Sequence, residues 1–321
     1  MEKLMLENSS VEAKQSSPKL VIKKSSFIDR AFRVKMSNRF FQLFCMCSAF
    51  ILSVTLLSIV YFIGKTGFLT FQEVPLKTFL FSPEWVPEEN KFGAYIFIFG
   101  TLALTALTLL IATPISIGIA IFIAEIAPNW VKRILRPILD LLVGIPSVVY
   151  GYLGLTVLIP YIRTITGQDM GDGLLAAALV LTIMILPTIT RISDDAICFV
   201  PHKYRQAAYA LGATRHQMIW GVVVPAASKG IVTAIILGMA RALGETMAVV
   251  MVIGNTAQLA NGLFVPTSVL TSNIVMQISN VPFDSTWNYA LYLMAFMLLL
   301  ISLVLIVIIR LIRFKGESVH E

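Results

Sequence analysis

Apolar residues along the chain fall into six long runs, at about 40–63, 94–124, 138–160, 174–192, 231–254 and 287–312, with polar segments between them. Each run is close to or above the ~20 residues that carry a helix across the ~30 Å hydrocarbon layer of a bilayer. The pattern therefore predicts six transmembrane helices. The second run is longer than one crossing requires and is expected to tilt or to begin in an interfacial stretch. Gly144, Pro146, Gly151 and Gly154 interrupt the third run, and Pro146 also removes a backbone donor. Irregular backbone at membrane depth persists only where protein or a water-lined cavity satisfies it. Two readings of these breaks stay open: close packing of helices through small residues, or a path lining in which Ser147 and Tyr150 offer hydroxyl donors. Pro187, with Thr188 and Thr190, predicts a similar bend near the inner end of the fourth run.

Six crossings put both ends of the chain on one side. Residues 1–39, the segments after the second and fourth runs, and the C-terminal end together hold 20 of the 25 Lys and Arg residues. The opposite loops hold only Lys65, Lys77, Lys91 and Arg163, while Arg241 lies inside the fifth run. Cytoplasmic loops carry the excess of Lys and Arg, so both termini are expected in the cytoplasm of a bacterial cell, the chain being a multi-pass protein of its inner membrane. Three segments follow: a polar, disordered tail over 1–39, a membrane domain over 40–312, and a short cytoplasmic tail over 313–321. The first tail is rich in Ser and Lys and suits a disordered segment resting on anionic lipid headgroups. The first apolar run starts too late for a cleaved secretory signal and is expected to remain as an anchor. On the outer side, Phe68, Phe71, Phe79, Phe81 and Trp85 predict a folded interfacial segment over 64–93. The second long outer loop, 255–286, carries no Lys or Arg but has Gly262, Pro266 and Pro282.

Composition agrees with this pattern. The chain is 57% hydrophobic and 13% charged, far from the balance of a soluble domain. Its net charge of +7 is largely the topology signal, and no basic face interleaved with aromatics supports a nucleic-acid partner. Cys45, Cys47 and Cys198 make no disulfide framework. His202, His216 and His320 lack metal-ligand spacing, so neither a metal nor a cofactor is expected.

Arg241 and Glu245 are the most informative polar residues. Arg241 lies roughly 15 Å from the start of its run if that run is helical, and a charge near mid-bilayer costs on the order of 3 kcal/mol. In one helix, the i, i+4 spacing would bring guanidinium and carboxylate onto one face. Such a pair either locks two helices together or forms a polar station on a solute path.

The longest inner loop, about 193–230, contains Arg205-Gln206-Ala207-Ala208-Tyr209-Ala210-Leu211-Gly212-Ala213-Thr214 and continues to Val222-Val223-Val224-Pro225. Pro201 is suited to open a short helix carrying Ala207, Ala208 and Leu211. Gly212 supplies a stop, and Thr214 is a good cap for a second helix carrying Met218, Ile219 and Trp220. Pro225 then marks the approach to the fifth crossing. Two short helices with small residues at their bend make a knob that fits a groove on a soluble partner.

This array resembles the cytoplasmic coupling loop of ABC-importer permeases, whose pattern is Glu-Ala-Ala, three residues, Gly, nine residues, Ile, one residue, Leu-Pro. Ala207, Ala208, Gly212 and Pro225 match it, and Val222 and Val224 are conservative replacements. Gln206 stands where the family commonly has glutamate, which removes an ionic contact there but not the docking shape. Arg241-Ala242-Leu243-Gly244-Glu245-Thr246-Met247-Ala248-Val249, followed by Ile253-Gly254-Asn255-Thr256, is similar to the fifth span of PstC-type phosphate permeases. Gly144-Ile145-Pro146-Ser147-Val148-Val149-Tyr150-Gly151-Tyr152-Leu153-Gly154 is similar to their third span. The Met247-Ala248 pair and the long polar N-terminus separate the chain from the sister PstA type, in which Gly-Glu-Thr is usually followed by Ala-Pro.

The resemblance covers about 40–312. It implies an all-α, six-helix permease of the type I importer fold, working with a second permease of the PstA type and two ATP-binding subunits of the PstB type. An extracytoplasmic phosphate-binding protein of the PstS type would deliver the inorganic phosphate. The chain has no Gly-x-x-x-x-Gly-Lys-Ser/Thr loop, so it is expected to catalyse nothing and to receive its energy through the loop around Gly212. Arg241 would hold the anion through charge-assisted hydrogen bonds, and Glu245 would compete for Arg241 so that the anion can leave. Two other classes remain open: the same architecture carrying molybdate or sulfate, and a stand-alone ion-coupled carrier with Arg241 and Glu245 as a proton relay. An intramembrane enzyme fits poorly, because no Ser-Lys, paired-Asp or zinc-type His-Glu array falls within the runs.

Overall fold

The computed structural model describes residues 24–315, with side chains described over 39–311. It divides into a first unit ending at Ile59 and a second beginning at Val60. Helix α1 (Lys24–Phe68) contains the first span and runs through that boundary. Residues 24–39 are helical, so of the tail expected to be disordered, 1–23 lies outside the described residues. The C-terminal tail expected over 313–321 lies outside them from 316 onward.

The described residues contain six helical stretches long and apolar enough to cross a membrane: Arg39–Gln72, Tyr95–Ile126, Ser147–Thr166, Leu174–Cys198, Arg215–Gly244 and Thr286–Leu311. The fold is all-α. After α1 come α2 (Leu76–Phe81), α3 (Tyr95–Ile121), α4 (Asn129–Gly144), α5 (Ser147–Leu153), α6 (Ile159–Thr166) and α7 (Leu174–Cys198). The chain continues through α8 (His202–Ala210), α9 (Arg215–Met218), α10 (Val224–Gly244), α11 (Met247–Val252), α12 (Leu270–Ile278) and α13 (Thr286–Lys315). A short antiparallel hairpin, β1 (Trp85–Val86) with β2 (Lys91–Phe92), completes the outer segment.

Helix α7 is the axis of the second unit. Ala176, Ala177, Ala178, Leu181, Ile185, Ile189 and Ile197 are buried along its length, and α3 and α10 pack on it. Polar groups inside this apolar packing are satisfied locally, as a low dielectric demands. On α3, the Thr101, Thr105 and Thr108 hydroxyls donate to the carbonyls of Phe97, Thr101 and Leu104 at 2.7–2.8 Å. The Ser116 hydroxyl reaches across to the Leu186 carbonyl, the acceptor beside Pro187. Helix α7 runs from Leu174 to Cys198 with Pro187 inside it.

The outer segment is folded, with Phe79, Trp85, Phe92 and Phe97 buried together against Leu291 and Met294 of α13. Trp85 stacks edge-on to Phe92 and Phe97, and its indole donates to Gln277. Phe68 and Phe81 of the same segment are exposed.

Two expected spans differ from the observed ones. The third run, 138–160, is split: its first part belongs to α4, an amphipathic helix outside the crossing, and the span starts at Ser147. The fifth run, 231–254, is also broken, with α10 ending at Gly244 and α11 starting at Met247. Glycine allows the two broken spans to meet. A side-chain carbon on Gly151 would lie 2.9 Å from the Ala248 Cα, and one on Gly154 would lie 2.7 Å from side-chain carbons of Val180 and Val252. Gly151→Val therefore has to separate α5 from α11. A loss of about 1–3 kcal/mol is expected from such overpacking, read as a lower melting temperature of the purified protein. Gly118→Ala, which would meet nothing within 4 Å, should leave that temperature nearly unchanged.

Candidate functional site

Gly151 meets Ala248 and Gly154 meets Val252, so contacts follow the same order along both helices and α5 runs parallel to α11. The breaks that precede these helices consequently sit side by side. Just before the third span, Ile145 and Pro146 are extended, with ψ of 129° and 137°. Just after α10, Glu245 is extended (φ −70°, ψ 127°), followed by Thr246 at φ −117°.

This geometry corrects the reading of Arg241 and Glu245 as an i, i+4 pair on one helical face. The helix ends between them, and they form no ion pair among the described residues. Arg241 instead donates from Nη1 to the Thr188 hydroxyl at 2.8 Å, tying the last turn of α10 to α7. Glu245 turns forward, and its Oε1 accepts from the Ala248 amide at 3.2 Å. A carboxylate there satisfies an amide that would otherwise lack a partner at the start of α11. The Glu245 carbonyl accepts from the Thr271 hydroxyl at 3.2 Å, so α12 also supports the break.

Ser147 opens α5 half-buried, and its hydroxyl makes no hydrogen bond among the described residues. Tyr150 is buried, and its hydroxyl donates to the Leu142 carbonyl at 2.9 Å, bridging the Pro146 break. Its oxygen keeps acceptor capacity, but its donor is committed to the backbone. Beyond Tyr150 lies a recess of about 350 Å³ lined by Leu153, Val157, Leu158, Tyr161, Val180 and Ile183. Those walls suit hydrocarbon and not a hydrated anion. The polar candidates grouped around the breaks are thus Arg241, Thr188, Glu245 and Ser147. Thr188 is the one whose part the sequence did not reveal, because its pairing with Arg241 joins positions 53 residues apart.

The inner loop folds largely as its sequence suggested. Pro201 caps α8, Gly212 adopts φ +81° at its end, and Thr214 caps α9 in a reciprocal capping box with Gln217. The second helix is not separate, however. It passes through a wide turn at Ile219–Val223 into α10, so Arg215–Gly244 forms one continuous stretch. The resembling residues divide by environment: Ala208 is buried, and Val222 and Val224 pack against the same apolar cluster as Ile197, Met218 and Ile231. Gln206, Ala207, Gly212 and Pro225 face outward. Leu211 is 89% exposed and Phe199 85%, giving this surface a strong apolar component.

Ion pairs hold that surface to the spans. Arg205 bonds the Glu125 carboxylate at 2.6 and 3.0 Å and the Ile197 carbonyl at 3.0 Å. Arg215 donates to the Glu125 carbonyl. Nearby, the fully buried Asp194 carboxylate receives Arg136 at 2.8 and 3.0 Å and Arg191 at 3.3 Å, while Arg191 also meets Asp140 and Asp195. Hydrogen bonding to Asp194 raises the Arg136 pKa further above its ordinary value. Glu125 and Asp140, at the ends of these segments, thus pair with Arg205 and Arg191.

Paired broken spans, an inner loop presenting an apolar knob, and six crossing helices define a membrane permease of the ABC-importer kind. The chain belongs to the family described as the binding-protein-dependent transport system inner membrane component, which matches residues 116–315. It is 46% identical over 266 residues to a probable ABC transporter permease protein, YqgH, of Bacillus subtilis, covering 82% of this chain and 86% of that one. It is 36% identical over 253 residues to the phosphate transport system permease protein PstC of Xylella fastidiosa, covering 73% and 78%. With PstC of Pasteurella multocida it shares 37% over 259 residues, covering 75% and 78%. A solved bacterial ABC transporter involved in importing the acidic polysaccharide alginate contains a chain that superposes with a TM-score of 0.61. Identity there is 16%, over 88% of this chain and 98% of that one, which shows the shared fold alone.

Family and fold are those of non-catalytic permease subunits that couple to a cognate ATPase and a periplasmic binding protein. Arg205 and Glu125 are both almost enclosed, with side chains 12% and 9% exposed. Removing one charge from such a pair costs about 3 kcal/mol. Glu125→Gln should therefore loosen α8, seen as faster limited proteolysis across 199–214.

Proposed function

We propose that the chain is the PstC-type permease of an inorganic phosphate importer, with both termini in the cytoplasm. Its companions would be a PstA-type permease, PstB-type ATPases and a PstS-type binding protein. The observation that carries the reading is Arg241, held beside two backbone breaks by one hydrogen bond from a guanidinium that has five donor hydrogens. Its planar fork suits bidentate contact with a tetrahedral oxyanion. The named phosphate permeases among the relatives support the choice of phosphate.

The exchange first read from the sequence changes its partner. Thr188, not Glu245, occupies Arg241 in this conformation. Phosphate would displace the neutral Thr188 hydroxyl, and the hydroxyl would reclaim the guanidinium as the anion leaves. A neutral competitor returns Arg241 to a defined position without adding a fixed negative charge on the path. Ser147 would contribute a hydroxyl from the adjacent break. Glu245 would keep α11 in place through its bond to the Ala248 amide. Rocking of the two permeases, driven by ATP-dependent closure of the ATPases, would expose the station alternately to each side.

Uptake of labelled phosphate by the assembled complex tests this reading. Arg241→Ala should abolish uptake while assembly persists, and Arg241→Lys should reduce it at least tenfold because the fork is lost. Normal uptake by assembled Arg241→Ala would refute the role of Arg241. Competition by unlabelled phosphate, molybdate and sulfate identifies the cargo: phosphate alone should compete at low concentration. Transport by the purified chain alone in liposomes would instead establish a stand-alone carrier.

A further inference from the structure

Helix α4 has an apolar stripe that its own packing leaves uncovered. Trp130 is 67% exposed, Ile134 51%, Ile138 44% and Leu141 73%, and their spacing of four, four and three residues keeps them on one helical face. Leu139 is buried, and Arg136 fastens the helix to Asp194 of α7. The third span reaches 20 residues without α4, which is already about 30 Å of helix. Helix α4 is therefore not needed for the crossing, and the Arg136–Asp194 and Arg191–Asp140 pairs hold it against the end of α7. The exposed Phe122 and Ile126 at the end of the second span lead directly into its stripe.

Next to the stripe is a recess of about 420 Å³ lined by Asn129, Lys132, Arg133, Arg136 and Pro137. Arg136 is neutralised by Asp194, and the nearby Asp140 by Arg191. Lys132 donates to the Ala124 carbonyl, an uncharged acceptor, at 2.7 Å. Arg133 makes no hydrogen bond or ion pair among the described residues. Two cations are thus left without acidic partners beside an apolar ridge ending in tryptophan.

We infer that α4 is an interfacial helix whose stripe enters the inner leaflet and whose Lys132–Arg133 recess binds the headgroup of an anionic phospholipid. Charge complementarity selects the occupant, because basic residues next to a buried apolar face attract anionic lipid specifically. The helix joins the inner end of the second span to the break before Ser147 and is fixed to α7 by Arg136. A lipid held there would set the position of the third-span break.

The full-length chain, reconstituted in phosphatidylcholine vesicles containing phosphatidylglycerol brominated high on its acyl chains, provides the test. Tryptophan quenching should exceed that given by brominated phosphatidylcholine, and the excess should disappear in Trp130→Phe. Arg133→Gln should reduce the preference for phosphatidylglycerol at least threefold, and Arg133→Lys should retain it. Arg133 has no partner to lose, so an unchanged melting temperature is expected for both variants. Equal quenching of the wild type and Trp130→Phe would overturn the proposal, as would a lipid preference that Arg133→Gln leaves intact. Loss of Trp130 quenching once the ATPase subunits are assembled would also overturn it, identifying the face as a protein contact.

Discussion

The constraint on which this structure depends is that a backbone interrupted inside a membrane protein must find its hydrogen bonds within the protein. The chain interrupts its helices twice, at Ile145–Pro146 and Glu245–Thr246, and places the breaks side by side. Neighbouring elements support both. The Tyr150 hydroxyl takes the Leu142 carbonyl, the Glu245 carboxylate takes the Ala248 amide, and Thr271 reaches the Glu245 carbonyl. Gly151 and Gly154 let α5, α7 and α11 approach closely enough to hold the arrangement. Gly151 and Gly154 thus serve packing, one of the two readings the glycines allowed, whereas a side-chain carbon on Gly144 would meet nothing within 4 Å.

The existence of the six crossings was legible in hydropathy because the bilayer imposes one length on every span. Their ends were less legible where amphipathic and apolar helices adjoin. Leu139, Leu141, Leu142 and Val143 look like span residues by composition, yet they belong to α4, whose one face carries Arg133 and whose packing depends on Asp194. Capping chemistry read well: Pro201, Gly212 and Thr214 act as their local preferences suggest, since each needs only its immediate neighbours.

The Arg241–Glu245 pair was misread because helical spacing was extended through a segment with no proline to mark its end. The termination is a tertiary effect. Glu245 gains an amide at the start of α11, Arg241 gains Thr188 from a helix 53 residues earlier, and Thr271 supports the Glu245 carbonyl. Thr188 and Thr271 lie outside the fifth run and are not detectable by spacing along it. Thr188 illustrates the general difficulty, since one threonine beside a proline has many equivalent local explanations.

The surface carried by α8 is both packed and bonded to the ends of the spans. Ala208, Val222 and Val224 point inward and make α8 part of the packed end of the spans, leaving Gln206, Ala207, Gly212 and Leu211 to present its outer shape. Apolar packing alone would permit sliding, because it is non-directional. The Arg205–Glu125 contact restricts that freedom: two guanidinium donors converge on one Glu125 carboxylate oxygen, and a bond to the Ile197 carbonyl adds a second anchor point from α7. Since α9 continues through a wide turn into α10, the helix that follows this surface and the turn bearing Arg241 belong to one continuous helical stretch. Arg205, the neighbour of Gln206, connects α8 to Glu125 of this same chain.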